Sequence, residues 1–352
     1  MATTEESLAT LEAKMAALET KLAALTDTTP TTYYTHQYSG EEIDAAVGRA
    51  VAGGTLDTSV TNIGNQLGTF VRPNLLDNWY FGNPINQRGQ TEYTGNGYTV
   101  DRWMIGAGSN GTLSLADSGL KLSRTDGPMY LAHRILKTQI PEGSVLTYSV
   151  LTSYGLFSTS FVVKNDTYHE QVVGGGISLG WNYTPAGMVE FTLVNNTVNS
   201  DVTVLAAKLE LGPTQTLAHR EGDRWVLNEI PDYGEQLRRC QRYARSLRGN
   251  SKSAYCQLAT GVATSSTKAT LYVPLAQPLR TGPAITSTGN FRIVARGGQV
   301  ITVTGFDFNL SEWSGSIVRF GVSVAGGLTA GDFVVLQPNN GASADILLSA
   351  DL

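Results

Sequence analysis

The chain has 352 residues, too many for one ordinary core, so two or three domains are expected. Its 38 glycines and a charged fraction of only 16% suit short strands and frequent turns. A net charge of −5 argues against a general nucleic-acid binder with a basic face, and no apolar run is long enough to span a bilayer. No apolar signal core follows a basic start, so the general secretory route is not expected.

Leu8, Leu11, Met15, Leu18, Leu22 and Leu25 alternate spacings of three and four residues. That is an a/d seam, the period of a left-handed coiled coil. With Leu8 at a, the e positions hold Glu12 and Glu19, and the g positions hold Lys14 and Lys21. Lys14 then lies beside Glu19 of a parallel neighbour, a weak preference for parallel chains. A helix this short is marginal alone in water and needs partner chains. Leucine at both a and d leaves the number of strands open.

Residues 1–30 are therefore expected to form a parallel coiled coil, and residues 31–72 a linker and helical stalk. Within the stalk, Ser39 and Glu42 form a capping box, and Ile43, Ala46, Val47, Ala50 and Val51 share one apolar face.

The pattern changes to short β-rich segments at Pro73. "YTVDRWMI", "TLSLADSGLKLS", "VLTYSVLTS", "GMVEFTLV" and "DVTVLAAKLEL" follow one another with turn residues between them. Strands at this spacing without intervening helices indicate a sandwich or jelly roll over residues 73–213. Residues 214–250 form a connector. There Asp232 and Glu235 cap an amphipathic helix whose apolar face is Leu237, Cys240, Tyr243 and Leu247, with Gly249 as its stop. Its arginines, at 238, 239, 242, 245 and 248, are read as a solvated face with cations near the helix C-terminus. Residues 251–352 return to strands and are expected to form a second β-sandwich.

Two cysteines, Cys240 and Cys256, are too few for a disulfide framework. The four histidines have no partners at metal-ligand spacing. No Gly-x-Ser-x-Gly elbow or zinc motif is present, and the glycine-rich segments do not join a strand to a helix as a phosphate cradle requires. Asp101, Asp117, Asp126, Glu142 and Glu190 offer carboxylates, but sequence cannot bring any two of them together. An enzyme is not expected.

The blocks "NLLDNWYFGNPINQRGQ", "YTVDRWMI", "KLELGPTQTLAH" and "WVLNEIPDYGEQLRRCQRY", in that order and followed by a β knob ending "LSADL", resemble tail-fibre, receptor-binding proteins of tailed bacteriophages and prophages. The resemblance covers nearly the whole chain. The first block also resembles the opening strand of galactose-binding-like jelly rolls, the fold of many carbohydrate-binding modules. By that likeness Asn74 and Asn78 are turn and strand-start residues, while Leu75, Leu76, Trp79 and Phe81 belong to a core.

The expected fold is mainly β with an N-terminal α-helical coiled coil. Two β-sandwich or jelly-roll domains are joined by a short helix in an elongated homotrimer, the trimer being implied by the resemblance. The expected function is attachment of a phage or phage-derived particle to the bacterial surface by multivalent glycan binding. The alternatives are a capsid or tail decoration without a specific ligand and a polysaccharide-active enzyme.

The resemblance implies location in the virion, on tail or head, after synthesis in the bacterial cytoplasm. Partners are the chain itself, other virion proteins through the N-terminal region, and a bacterial surface glycan. No nucleic acid, membrane insertion or cofactor is expected; galactose-binding-like folds often hold a structural calcium, but no acidic cluster here supports one. The candidate receptor-binding residues are Phe308, Asn309, Glu312 and Trp313 in "GFDFNLSEWSGS", read as a loop, with Asn339 and Asn340 in "QPNNGAS".

Overall fold

The computed structural model describes residues 12–21, 71–164, 168–184, 187–197, 201–249, 255–339 and 344–351, the side chains of 184 and 309–311 excepted. The chain divides between Gly68 and Thr69 into two units. In the first, residues 12–21 form a helix, α1, in which Thr20 Oγ1 donates to the Ala16 carbonyl at 2.7 Å. Met15 and Leu18 lie on α1 and are exposed, 59% and 66%. The other expected seam residues, Leu8, Leu11, Leu22 and Leu25, lie outside the described residues, as does the stalk except for Val71 and Arg72.

The second unit is mainly β, as expected. Its N-terminal half contains two antiparallel six-stranded sheets. One runs in the order β1 (Glu92–Thr94), β4 (Gly111–Ala116), β5 (Gly119–Arg124), β12 (Asp201–Leu211), β7 (Val145–Thr152), β8 (Gly155–Val162). The other runs β2 (Gly97–Tyr98), β3 (Trp103–Ile105), β6 (Met129–Leu136), β11 (Met188–Asn195), β10 (Ile177–Thr184), β9 (His169–Gly174). Phe161 of β8 stacks on Trp181 of β10 at 3.6 Å, and Tyr148 of β7 meets Phe191 of β11 edge-on at 5.9 Å. The two sheets therefore face each other across one core, a β-sandwich.

The segment "NLLDNWYFG" runs beside β12. Leu75 and Phe81 donate backbone hydrogen bonds to Leu209 and Leu205, and Ala207 donates to Trp79. Asn74 supplies what the irregular backbone lacks. Its Oδ1 accepts from the Leu76 and Leu209 amides at 3.0 and 3.1 Å, and its Nδ2 donates to the Ala207 carbonyl at 2.9 Å. Asn78 sits at φ +53°, a left-handed conformation that asparagine tolerates. It closes the turn to Ile85 with one bond in each direction and donates to the Asp101 carbonyl at 2.7 Å. Leu76, Trp79 and Phe81 are core residues and Leu75 packs against that core, so this stretch is structural, as its likeness to a first strand implies.

The face of β12 turned from this core buries Lys208 and Glu210, which the returning chain satisfies: Lys208 pairs with Glu229 at 3.0 Å, and Glu210 accepts from the Thr216 amide at 2.6 Å. A hairpin of β13 (Ala218–Glu221) and β14 (Arg224–Leu227) leads to helix α2, Tyr233–Cys240. Asp232 caps α2 by accepting from the Glu235 amide at 2.7 Å, as expected. The helix stops earlier than its periodicity predicts. Ala244–Arg248 is instead strand β15, paired along its length with β23 (Asp345–Ser349), which pairs in turn with β18 (Ala284–Thr288). The cross-strand partners override the helical period, which also fits a short apolar alternation.

The expectation of a second β-sandwich is corrected. The C-terminal strands form a closed barrel in the order β16 (Ala259–Ala263), β17 (Lys268–Pro274), β21 (Ile317–Val324), β20 (Val300–Trp313), β19 (Phe291–Val294), β22 (Phe333–Pro338). Closure comes from β22, which pairs with both β16 and β19 and leaves no free edge. The alternating burial of β17 and β21 places Ala269, Leu271, Val273, Val318, Phe320 and Val322 inside.

A buried charged seam ties the sandwich to α2 and the C-terminal strands. Asp77 accepts from Arg102 Nε at 3.1 Å and forms an ion pair with Arg239 Nε at 2.7 Å. Gln236 accepts from the Asn78 amide at 2.6 Å. Arg102 sits at φ +71°, donates to the Arg134 carbonyl at 2.6 Å and lies 3.5 Å over the Tyr243 ring. His133 Nε2 accepts the Asp77 amide at 3.2 Å, and burial, helped by Arg102 and Arg239, holds its pKa well below the usual imidazole value. Nearby, Arg88 bonds Asp351 at 2.5 Å and approaches Asp101 at 3.6 Å. Two arginines read as solvated also have partners across the seam: Arg239 in Asp77, and Arg248 in Asp345 and the Gln87 and Arg88 carbonyls.

Candidate functional site

The strand register brings several strand ends to one mouth of the barrel. Ala259 opposes Leu336, Pro274 opposes Ile317, Trp313 opposes Val318 and Phe291 opposes Pro338. The start of β16 and the ends of β17, β20 and β22 therefore meet there.

The segment read as a loop is the last part of β20. Between Asp307 and Glu312 the register slips, so that residues 308–311 stand opposite the single residue Phe320. That is a special, four-against-one bulge, and bulges re-aim side chains at barrel rims. Phe308 is half-buried against Phe306 and Phe320, with ring centres 5.2 and 5.7 Å apart. Its ring belongs largely to the core. The side chain of Asn309 and the whole of Asn340 lie outside the described residues. Asn339 caps the end of β22, its amide donating to the Asn290 carbonyl at 2.8 Å.

Among the described residues of the expected receptor-binding set, Glu312 and Trp313 are the exposed ones. Glu312 accepts from Arg319 Nη2 at 2.7 Å with its own side chain 69% exposed. Trp313 shares its face with buried Val318 yet stays 38% exposed at the mouth. The register extends this surface sideways. Thr260 opposes Tyr272, Tyr272 opposes Arg319, and Arg319 opposes Glu312. Directly opposed residues point to the same side of a sheet, so the four form one outward row. Tyr272 is 40% exposed in it. Tyr272 was not singled out from the sequence, although it is the outward aromatic of an alternating strand, "KATLYVP", and that signal is legible.

Two cavities adjoin the C-terminal strands. One of about 220 Å³ lies between the edge of the sandwich and β18, lined by Arg88, Tyr93, Tyr98, Thr286, Thr288 and Asp345. Its main polar groups are already engaged. Arg88 is paired and also lies 5.3 Å over the Tyr98 ring, and Asp345 accepts from Arg248 at 2.9 Å and Ser246 at 2.5 Å. Tyr93 donates to Asn86 at 2.6 Å, and burial pushes its hydroxyl up to about 12. This cavity is a seam of the fold. The other, of about 250 Å³, opens beside Tyr272 and Thr260 and is bounded by Arg245 of β15.

Among the described residues no group of three or more His, Cys, Asp or Glu is placed to hold a metal. Of the carboxylates considered from sequence, Asp101 is buried against Gln87 and Arg88, and Glu190 pairs with Arg134 at 2.8 Å. No protein-family model and no curated protein matches the chain.

Proposed function

We propose that this chain is a subunit of a homotrimeric fibre that attaches a phage or phage-derived particle to a bacterial surface by multivalent glycan binding. The N-terminal coiled coil gathers the chains and joins them to other virion proteins, and the barrel carries the contact surface. The exposure of Met15 and Leu18 on α1 supports the first part, since an a/d pair on so short a helix needs partner chains to cover it. The likeness of the sequence blocks to phage fibre proteins supports the location and the trimer.

The observation that carries the binding role is the outward row of Thr260, Tyr272, Arg319 and Glu312; Trp313, which follows Glu312 on the opposite face of the strand, is exposed at the barrel mouth. Sugars stack their C–H faces on exposed rings while their hydroxyls bond to charged and hydroxyl side chains; the row offers both within a rigid sheet. The role assigned is binding, not catalysis. A single shallow site is weak, but three linked copies raise the effective concentration and gain roughly 10²–10⁴ in avidity.

The test is saturable binding of the labelled full chain to isolated bacterial envelopes, with Trp313→Ala compared at equal oligomer mass. The expected result is a loss of about tenfold or more with the mass unchanged. Unaltered binding, or none by the native chain across a broad panel of envelopes, would remove the basis of the proposal.

A further inference from the structure

Arg245 of β15 lines a cavity beside the barrel. It projects from β15 beside the 250 Å³ cavity whose wall includes Thr260 and Tyr272, two members of the outward row. Three other basic side chains of this region have carboxylate partners: Arg239 has Asp77, Arg248 has Asp345 and Arg319 has Glu312. Arg245 has neither a carboxylate nor a hydrogen bond among the described residues, and its Nη1 is shielded from water without a partner. None of the residues lining the cavity is acidic. Desolvation lowers the pKa of its guanidinium from the usual value, the sign of a cation held without compensation.

A guanidinium in that position is stabilised by an incoming anion, and its planar donors match a carboxylate. The other wall groups suit a sugar. Tyr272 presents an exposed ring, and Thr260 and Gln257 present a hydroxyl and an amide. The volume holds one ring and not an oligosaccharide in full, so a longer chain would continue along the row towards Arg319 and Glu312.

We infer that this cavity binds a carboxylate-bearing sugar, a uronic-acid residue of an acidic surface polysaccharide, with Arg245 on the carboxylate and Tyr272 under the ring. The inference rests on the attachment reading and names its ligand class.

The experiment titrates the full chain with methyl β-glucuronoside, methyl β-glucoside and acetate, followed by ligand-observed NMR. The glucuronoside is expected to bind, and the glucoside and acetate to bind about tenfold more weakly or worse. Arg245→Gln is expected to abolish the preference for glucuronoside over glucoside, and Tyr272→Ala to weaken both sugars. Because the guanidinium has no partner among the described residues, Arg245→Gln should unfold at the same urea concentration as the native chain; a marked fall would assign Arg245 a structural role and overturn the inference. Equal binding of acetate and glucuronoside would overturn the sugar assignment. Envelope binding that persists while the glucuronoside fails to bind would overturn this inference and leave the attachment proposal standing.

Discussion

Replacing Asp77 with asparagine keeps the shape of the side chain and removes its charge. Asp77 is the only carboxylate among the described residues within ion-pair distance of Arg102, whose side chain is 2% exposed. The substitution leaves Arg102 with the Arg134 carbonyl and the Tyr243 ring but without an anion. Removing one partner of a buried pair strands the other charge and costs about 3–5 kcal/mol. The Arg239 contact adds little, under about 1 kcal/mol, because that side chain is 38% exposed. Equilibrium urea unfolding followed by tryptophan fluorescence should show the midpoint falling by that amount with an unchanged slope. The double variant Asp77→Asn, Arg102→Met should recover part of the loss, since it removes the stranded cation. A loss below about 1 kcal/mol for Asp77→Asn, or a double variant worse than the sum of the singles, would refute the claim that the seam is held by charge pairing.

The same seam gives a pH dependence. Burial pushes the Asp101 carboxyl up to about 6 from an ordinary 3.8, against the pull of Gln87 and Arg88. The native state then keeps a proton that the unfolded chain has released. This contribution to stability is complete below about 3.8 and is lost as the pH rises through about 6. A displacement of that size is worth roughly 3 kcal/mol in full, so the stability of the native chain should fall by roughly 2 to 2.5 kcal/mol relative to Asp101→Asn between pH 4, where part is already lost, and pH 7. A constant difference between the two proteins would contradict it. Asn74→Ala should cost at least about 2 kcal/mol, because it leaves the Leu76 and Leu209 amides and the Ala207 carbonyl without their side-chain partner; a thermal melt unchanged from the native chain would show that water takes its place.

The sequence was most legible where a local pattern has one physical meaning. The Asn-rich opening of the sandwich could be assigned to backbone satisfaction because asparagine bonds where a ladder is interrupted, and Asn74 and Asn78 do so. The start of α2 was equally plain in Asp232 and Glu235. Its end was not, because Ala244–Arg248 becomes a strand only through β23, about a hundred residues later in the chain. Barrel and sandwich read alike in sequence, since both show inward alternation; closure is decided by β22 meeting β16 and β19.

The candidate site divides along the same line. Tyr272, the outward aromatic of an alternating strand, was within reach of sequence reasoning. Arg245 was not, since its separation from the acidic residues that hold its neighbours follows from the fold. Phe308 looked like a contact residue because the slip in β20 that turns its ring onto Phe306 and Phe320 has no marker in the chain.

Multivalency is the centre of the proposed function, and light scattering on the full chain tests it most directly. The account predicts an absolute mass of three times the 37.6 kDa monomer, with the multiple lost or reduced in a chain lacking residues 1–30. A full chain that stays monomeric at micromolar concentration would contradict the account and leave a single-chain binding module in its place.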